Sequence, residues 1–137
     1  MNNQQWLQRF QAAAPSFLTD MGGRFIDVES SVGRCTIEFD IGKNFCHSVD
    51  IVQGGFVTAM LDAAMTHAAF ATNENIVNLA SLEIKTSYLE PVRAGRLLVE
   101  GTVIKCGHKT AFMEGRIHNP EGLLLATAST VAKLLRK

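Results

Sequence analysis

The chain has 137 residues, 47% of them hydrophobic and 19% charged, a length and balance that fit one packed domain and exclude the composition of disorder. Thirteen basic residues cancel thirteen acidic ones, so no long-range field draws in a phosphate backbone and a nucleic-acid partner is not expected. Cys35, Cys46 and Cys106 include no CxxC pair, which fits neither a disulfide framework nor a zinc site and reads as reduced thiols in a cytoplasmic protein.

The first segment, MNNQQWLQRFQAAAPSF, opens with amides and lacks an unbroken apolar stretch, so it does not read as a signal peptide. Trp6, Phe10 and Ala13 or Ala14 recur at helical spacing, and Pro15 removes a donor and restricts Ala14. The expectation is a helix over about residues 3–14, lying across the outside of the domain. RFIDVESS and GRCTIEFDI then read as a hairpin split by Ser30, Ser31 and Gly33, with Val28, Val32, Cys35, Ile37 and Phe39 facing inward.

After a polar loop holding Lys43, Asn44, His47, Ser48 and Asp50, a Gly-Gly pair opens an Ala-, Met- and Leu-rich stretch that predicts the main helix over 54–71. This stretch is interrupted by Asp62, Thr66 and His67 and is too short to span a bilayer comfortably, so no membrane partner is expected. Being apolar on nearly all sides, the helix needs other structure around it. The remainder supplies four strand-like runs, separated by Pro91–Gly95, Gly107–His108 and the turn at Asn119–Gly122. A hairpin, one long helix and a meander of strands predict an α+β fold with an antiparallel sheet, because no second long helix exists to make parallel crossovers.

The chemistry concentrates between His47 and Asp62. Gly54 and Gly55 stand at the helix start, where free N–H groups and the helix dipole favour developing negative charge, as on a thioester carbonyl. Asp62 follows Gly55 by seven residues, about two helical turns, among Met60, Leu61, Ala63 and Ala64. An unpaired carboxylate there would be costly. From pattern alone it reads equally as a catalytic group or as a salt-bridged aspartate at the helix edge.

The run Gln53-Gly54-Gly55, with Asp62 nine positions after Gln53, resembles the PaaI-like branch of the hotdog thioesterases. In that group His-Gly-Gly leads into the central helix and an acidic residue follows at this spacing. The resemblance continues through Ser81–Gly95, with its aromatic-x-x-Pro segment, through Gly107–Phe112 and through Ala126–Ser129, covering roughly residues 24–135. It implies a hotdog fold, a long central helix wrapped by a five- to six-stranded antiparallel sheet.

By the same resemblance, Gly55 N–H would bind the carbonyl and Asp62 would act as general base or nucleophile. The product would be free acid and CoA. Ser81 matches a strand position where some relatives carry a hydroxyl that positions water or carboxylate, although it also reads as an ordinary strand serine. Gln53 stands where many relatives have His, and His47 where many have Asn. Gln53 can hydrogen-bond but cannot transfer a proton at neutral pH, which excludes His-dependent proton transfer there.

His47 and Gly54 are candidate ligand contacts, and Arg93, His108 and Lys109 are candidates for CoA phosphates, although His47 reads more readily as a loop histidine and Arg93, His108 and Lys109 as solvated surface residues. Phe56, Met60 and Met65 could line an acyl tunnel or serve as core, and His67 reads as structural. No metal spacing and no cofactor are expected beyond CoA as part of the substrate. Relatives pair two protomers into one continuous sheet, so a homodimer or homotetramer is implied, with Gly55 and Asp62 of one site coming from different protomers. Two alternatives stand beside acyl-CoA hydrolysis. One is an acyl-CoA-binding protein without turnover. The other is a dehydratase or hydratase, which the absence of His at position 53 argues against.

Overall fold

Pro15 divides the N-terminal segment into two helices in the computed structural model, which describes residues 1–137. The first, α1 (Asn3–Ala12), begins at a reciprocal capping box: Asn2 Oδ1 accepts from Gln5 N–H at 2.8 Å and Gln5 Oε1 accepts from Asn2 N–H at 2.9 Å. It ends two residues short of the expected boundary. Trp6 and Phe10, one turn apart, are its buried residues. A short α2 (Ser16–Asp20), not anticipated from the sequence, buries Leu18 and turns the chain into the sheet.

The strands are β1 (Gly23–Glu29), β2 (Arg34–Ile41), β3 (Ile76–Tyr88), β4 (Gly95–Cys106), β5 (Thr110–His118) and β6 (Leu124–Arg136). They form one antiparallel sheet in the order β1-β2-β4-β5-β6-β3. Strand β2 shows the alternation that sets the inner face, with Cys35, Ile37, Phe39 and Ile41 all buried. Val32, expected to face inward with them, is 49% exposed because residues Ser30–Val32 form a 3-10 turn instead of extending the strand. Gly33 closes that turn at φ 64°, a conformation costly for any residue with a Cβ.

The long helix α3 (Gly54–Phe70) runs within one residue of its expected span and lies against the concave face of the sheet. The closest approach is at Gly101 of β4, where a Cβ would stand 2.3 Å from the Ala64 backbone. Val57, Met60, Leu61, Ala64, Met65 and Ala68 fill the interface, and burying each large apolar side chain contributes roughly 1.5–3 kcal/mol. With β1 and β3 as the two sheet edges, α1 packs mainly on β1 and reaches α3 through Phe10 against His67 at 4.9 Å. Trp6 and Phe10 stack against each other at 5.4 Å, and Phe10 reaches Phe25 of β1 at 5.4 Å. Gln11 Oε1 accepts from Phe25 N–H at 2.9 Å, tying α1 to the β1 edge.

Candidate active site

Polar chemistry gathers at two places along α3. At its N-terminus Gln53 is the N-cap, and its Oε1 accepts from Gly55 N–H at 2.8 Å. The donor expected to meet a carbonyl is therefore held by the chain's own glutamine. Tyr88 at the end of β3 donates to the Gly54 carbonyl at 2.8 Å. That uses its only proton, so Thr58 donates to Tyr88 Oη at 3.1 Å and Thr86 to Thr58 at 2.8 Å, giving one directed chain of hydroxyls. His47 is bonded to Ser48 through Nδ1 at 2.8 Å. With Gly54, Val57 and Tyr88 it lines a shallow cleft of about 420 Å³.

The second place is Asp62. Its Oδ1 lies 3.3 Å from Thr66 Oγ1 and 3.5 Å from Ser81 Oγ, and no cation pairs with it. Burial raises its pKa above the ordinary carboxylate value, and the two hydroxyls oppose that rise only in part. Ser81 owes its position to a bulge: Ser81 pairs with Ala132 but Glu83 with Val131, so Leu82 is the extra residue. The salt-bridged aspartate that the sequence left open is not what the structure contains.

Asp62 and Ser81 border a cleft of about 700 Å³ between α1, α3 and β3. Its apolar lining comes from Phe10, Phe17, Phe70 and Leu79. The alternative lining expected from the helix lies elsewhere: Met60 and Met65 are fully buried core, and Phe56 packs on Phe45 at 4.9 Å. His67 borders the same cleft while packing against Phe10, Phe25 and Phe70. Burial lowers its pKa, which favours the neutral ring.

The expected site residues fall into three groups. Gln53, Gly54, Gly55 and His47 cluster at the helix start, where the Ile51–Arg93 bridge also brings Arg93. Asp62 and Ser81 meet about two turns further on, roughly 10 Å along the axis from Gly55. His108 and Lys109 lie beyond the opposite end of β3, in the β4–β5 turn, where Arg136 donates to the His108 and Gly107 carbonyls at 2.8 and 3.0 Å. Arg93 is engaged with Asp50 at 2.8 Å, so it offers no unpaired charge. Thr66, Thr58 and Thr86 were not anticipated. Only Thr66 had a readable signal, its place one helical turn after Asp62.

Comparison with known proteins gives a consistent picture. The profile of the Thioesterase superfamily matches residues 50–126, more than half of the chain. A Saccharolobus solfataricus protein named as an esterase is 26% identical over 108 residues, 77% of this chain and 76% of that protein. A Ralstonia eutropha crystal structure, titled as a thioesterase related to phenylacetic acid degradation, superposes with a TM-score of 0.85 at 25% identity, covering 93% of this chain and 98% of the other. A Streptococcus mutans protein solved bound to acetyl-CoA has a TM-score of 0.74 at 17% identity, covering 82% and 88% of the two chains.

Proposed function

The chain belongs to the thioesterase superfamily, and from that premise we propose that it hydrolyses an acyl- or aryl-CoA thioester to free acid and CoA. The observation that carries this reading is Asp62, a half-buried carboxylate without a cation, oriented by two hydroxyls at the edge of an apolar cleft. A carboxylate whose pKa is raised is a better proton acceptor than an ordinary one. Asp62 takes a proton from water as the oxygen attacks the thioester carbon. The tetrahedral intermediate then collapses, the C–S bond breaks, and the thiolate leaves to take up a proton. Direct attack by Asp62, followed by hydrolysis of the anhydride, gives the same products.

The developing oxyanion needs a donor that Asp62's own surroundings do not supply, since Gly55 lies roughly 10 Å away along the same helix. A second protomer, pairing along the exposed edge strand β3, supplies it in this proposal. The substrate carbonyl takes over the Gly55 N–H from Gln53 Oε1. The Streptococcus mutans protein of this fold, solved with acetyl-CoA, supports a CoA thioester as the ligand.

One observation favours a second reading. Gly55 N–H is already satisfied by Gln53, as expected for a protein that binds acyl-CoA without polarising it. Thiol release from a panel of CoA thioesters separates the two. Hydrolysis is expected, with a loss of roughly 100-fold or more in kcat on Asp62→Asn while dimerisation is unchanged. Undiminished turnover in Asp62→Asn would remove Asp62 from the mechanism, and binding without any turnover would favour the second reading.

A further inference from the structure

The cleft beside Asp62 has a second polar feature, at His67, that hydrolysis does not use. Residues 62 and 67 are five apart on α3, which turns their side chains about 140° from each other around the axis. Asp62 accordingly meets Ser81 on β3, while His67 meets Phe10 on α1 and Phe25 on β1 at 4.9 and 4.7 Å. The two groups border one cleft from different walls.

The imidazole is fixed in ring position and in tautomer. His67 Nδ1 lies 2.8 Å from the Ala63 carbonyl, and a carbonyl only accepts, so Nδ1 carries the proton. In the neutral ring Nε2 is then a lone-pair acceptor. It makes no hydrogen bond within the chain. Nor is it sealed from solvent, since the one fully buried side-chain nitrogen or oxygen lacking a partner is Arg34 Nε. Nε2 opens on a cleft that Phe10, Phe17 and Phe70 wall with aromatic surface and that Arg9, Glu74 and Asn78 also line. A neutral acceptor beside the aromatic wall is suited to a hydroxyl donor on a ligand whose body is apolar.

We propose that His67 is a specificity-determining residue of the acyl site, its Nε2 accepting a hydrogen bond from a hydroxyl on an acyl group whose body is apolar and packs against α1. The identity of the ligand as an acyl thioester rests on the thioesterase reading above. The hydroxyl can sit on an aliphatic or an aromatic acyl group, since both offer the same donor.

Matched pairs of non-hydrolysable CoA thioethers, one aliphatic pair and one aromatic, each with and without a hydroxyl distant from the sulfur, test the assignment by calorimetric titration. The wild-type protein is expected to favour the hydroxylated member of one pair by about 3- to 10-fold, the effect of one neutral hydrogen bond. The pair that shows it identifies the acyl class. His67→Phe, which keeps the aromatic packing, is expected to abolish the preference while leaving affinity for the plain member within about twofold. His67→Asn keeps a donor for the Ala63 carbonyl but has no atom at the Nε2 position, and it serves the same purpose if the Phe variant does not fold. Phe17→Ala, at a side chain 48% exposed, should weaken both members of a pair equally.

No preference in either wild-type pair, or a preference that survives both His67 variants, overturns the assignment. Turnover of the corresponding thioesters keeps the two readings apart. Hydrolysis without hydroxyl preference removes the role of His67 alone, whereas hydroxyl-selective binding without hydrolysis removes the thioesterase reading and upholds His67.

Discussion

The two halves of α3 hold their polar groups in opposite conditions. Toward the N-terminus, Gly55 N–H is taken by Gln53, the Gly54 carbonyl by Tyr88, and the Thr58 hydroxyl lies between Tyr88 and Thr86. Toward the C-terminus, Asp62 faces a desolvation that two hydroxyls only partly offset, and His67 keeps an unused lone pair. Both halves rest on the same apolar sheet face, so the contrast lies in the side chains delivered by β3, α1 and the loop before the helix. The satisfied half adds stability, and the unsatisfied half, which holds the carboxylate of the proposed site, leaves polar groups unmet at a cost to stability, the usual relation between a scaffold and a site.

The most damaging way to break this contrast is to disturb the support common to both halves. At Gly101 a Cβ would meet the Ala64 carbonyl group and Met65 nitrogen at 2.3 to 2.5 Å, and backbone cannot yield as a flexible side chain can. Gly101→Ala is expected to lower the unfolding free energy by roughly 3 kcal/mol in urea titration, with the thioesterase activity proposed above falling in parallel as α3 moves off β4. Unchanged stability would mean that α3 is not seated by this close approach.

A smaller effect, opposite in sign, is expected at Asp62. Its pKa in the folded chain is raised, so the protonated form is the one the fold favours. The stability it contributes is fully present below the unfolded-chain pKa and is lost as pH rises through the folded value. At neutral pH the ionised side chain therefore destabilises. Asp62→Asn should raise stability at about pH 7 by part of the roughly 0.5–2 kcal/mol seen when such sites are relieved, and the gain should shrink toward about pH 4. Solvent contact keeps it toward the low end of that range. Melting curves of the two proteins across pH give the result, and a gain independent of pH would separate Asp62's effect on stability from its charge.

Much of the scaffold was legible in the sequence because it rests on local pattern. The Gly-Gly start and apolar run gave α3 to within a residue, and the turn residues divided the four long strands correctly. Val32 was misread because alternation alone does not reveal that Ser30–Val32 coils into a turn. The Gln53-Gly54-Gly55 to Asp62 spacing pointed to the two polar places on the helix. It could not reveal that Gln53 occupies the Gly55 donor, which depends on one side-chain rotamer. Phe56, Met60 and Met65 could not be divided between tunnel lining and core, because a helix apolar all round does not declare which side the sheet leaves open. That side is set by α1 docking through Phe10 on Phe25 and His67, a contact between distant segments that no periodicity records.

The smallest expected effect tests the satisfied half. Tyr88→Phe removes the hydroxyl that donates to Gly54 and accepts from Thr58 but leaves the ring, which is largely exposed, so water can replace part of what is lost. A reduction of about 0.5–1 kcal/mol in unfolding free energy is expected at neutral pH. It is opposite in direction to the change at Asp62, although both substitutions remove a polar or charged group from the surroundings of one helix. The Gly54 carbonyl is a paired acceptor whose partner is deleted, whereas Asp62 is a charge whose desolvation is relieved. Parallel urea titrations of Tyr88→Phe and Asp62→Asn decide it. Shifts in the same direction would show that the two halves of α3 do not differ in the way their hydrogen bonds imply.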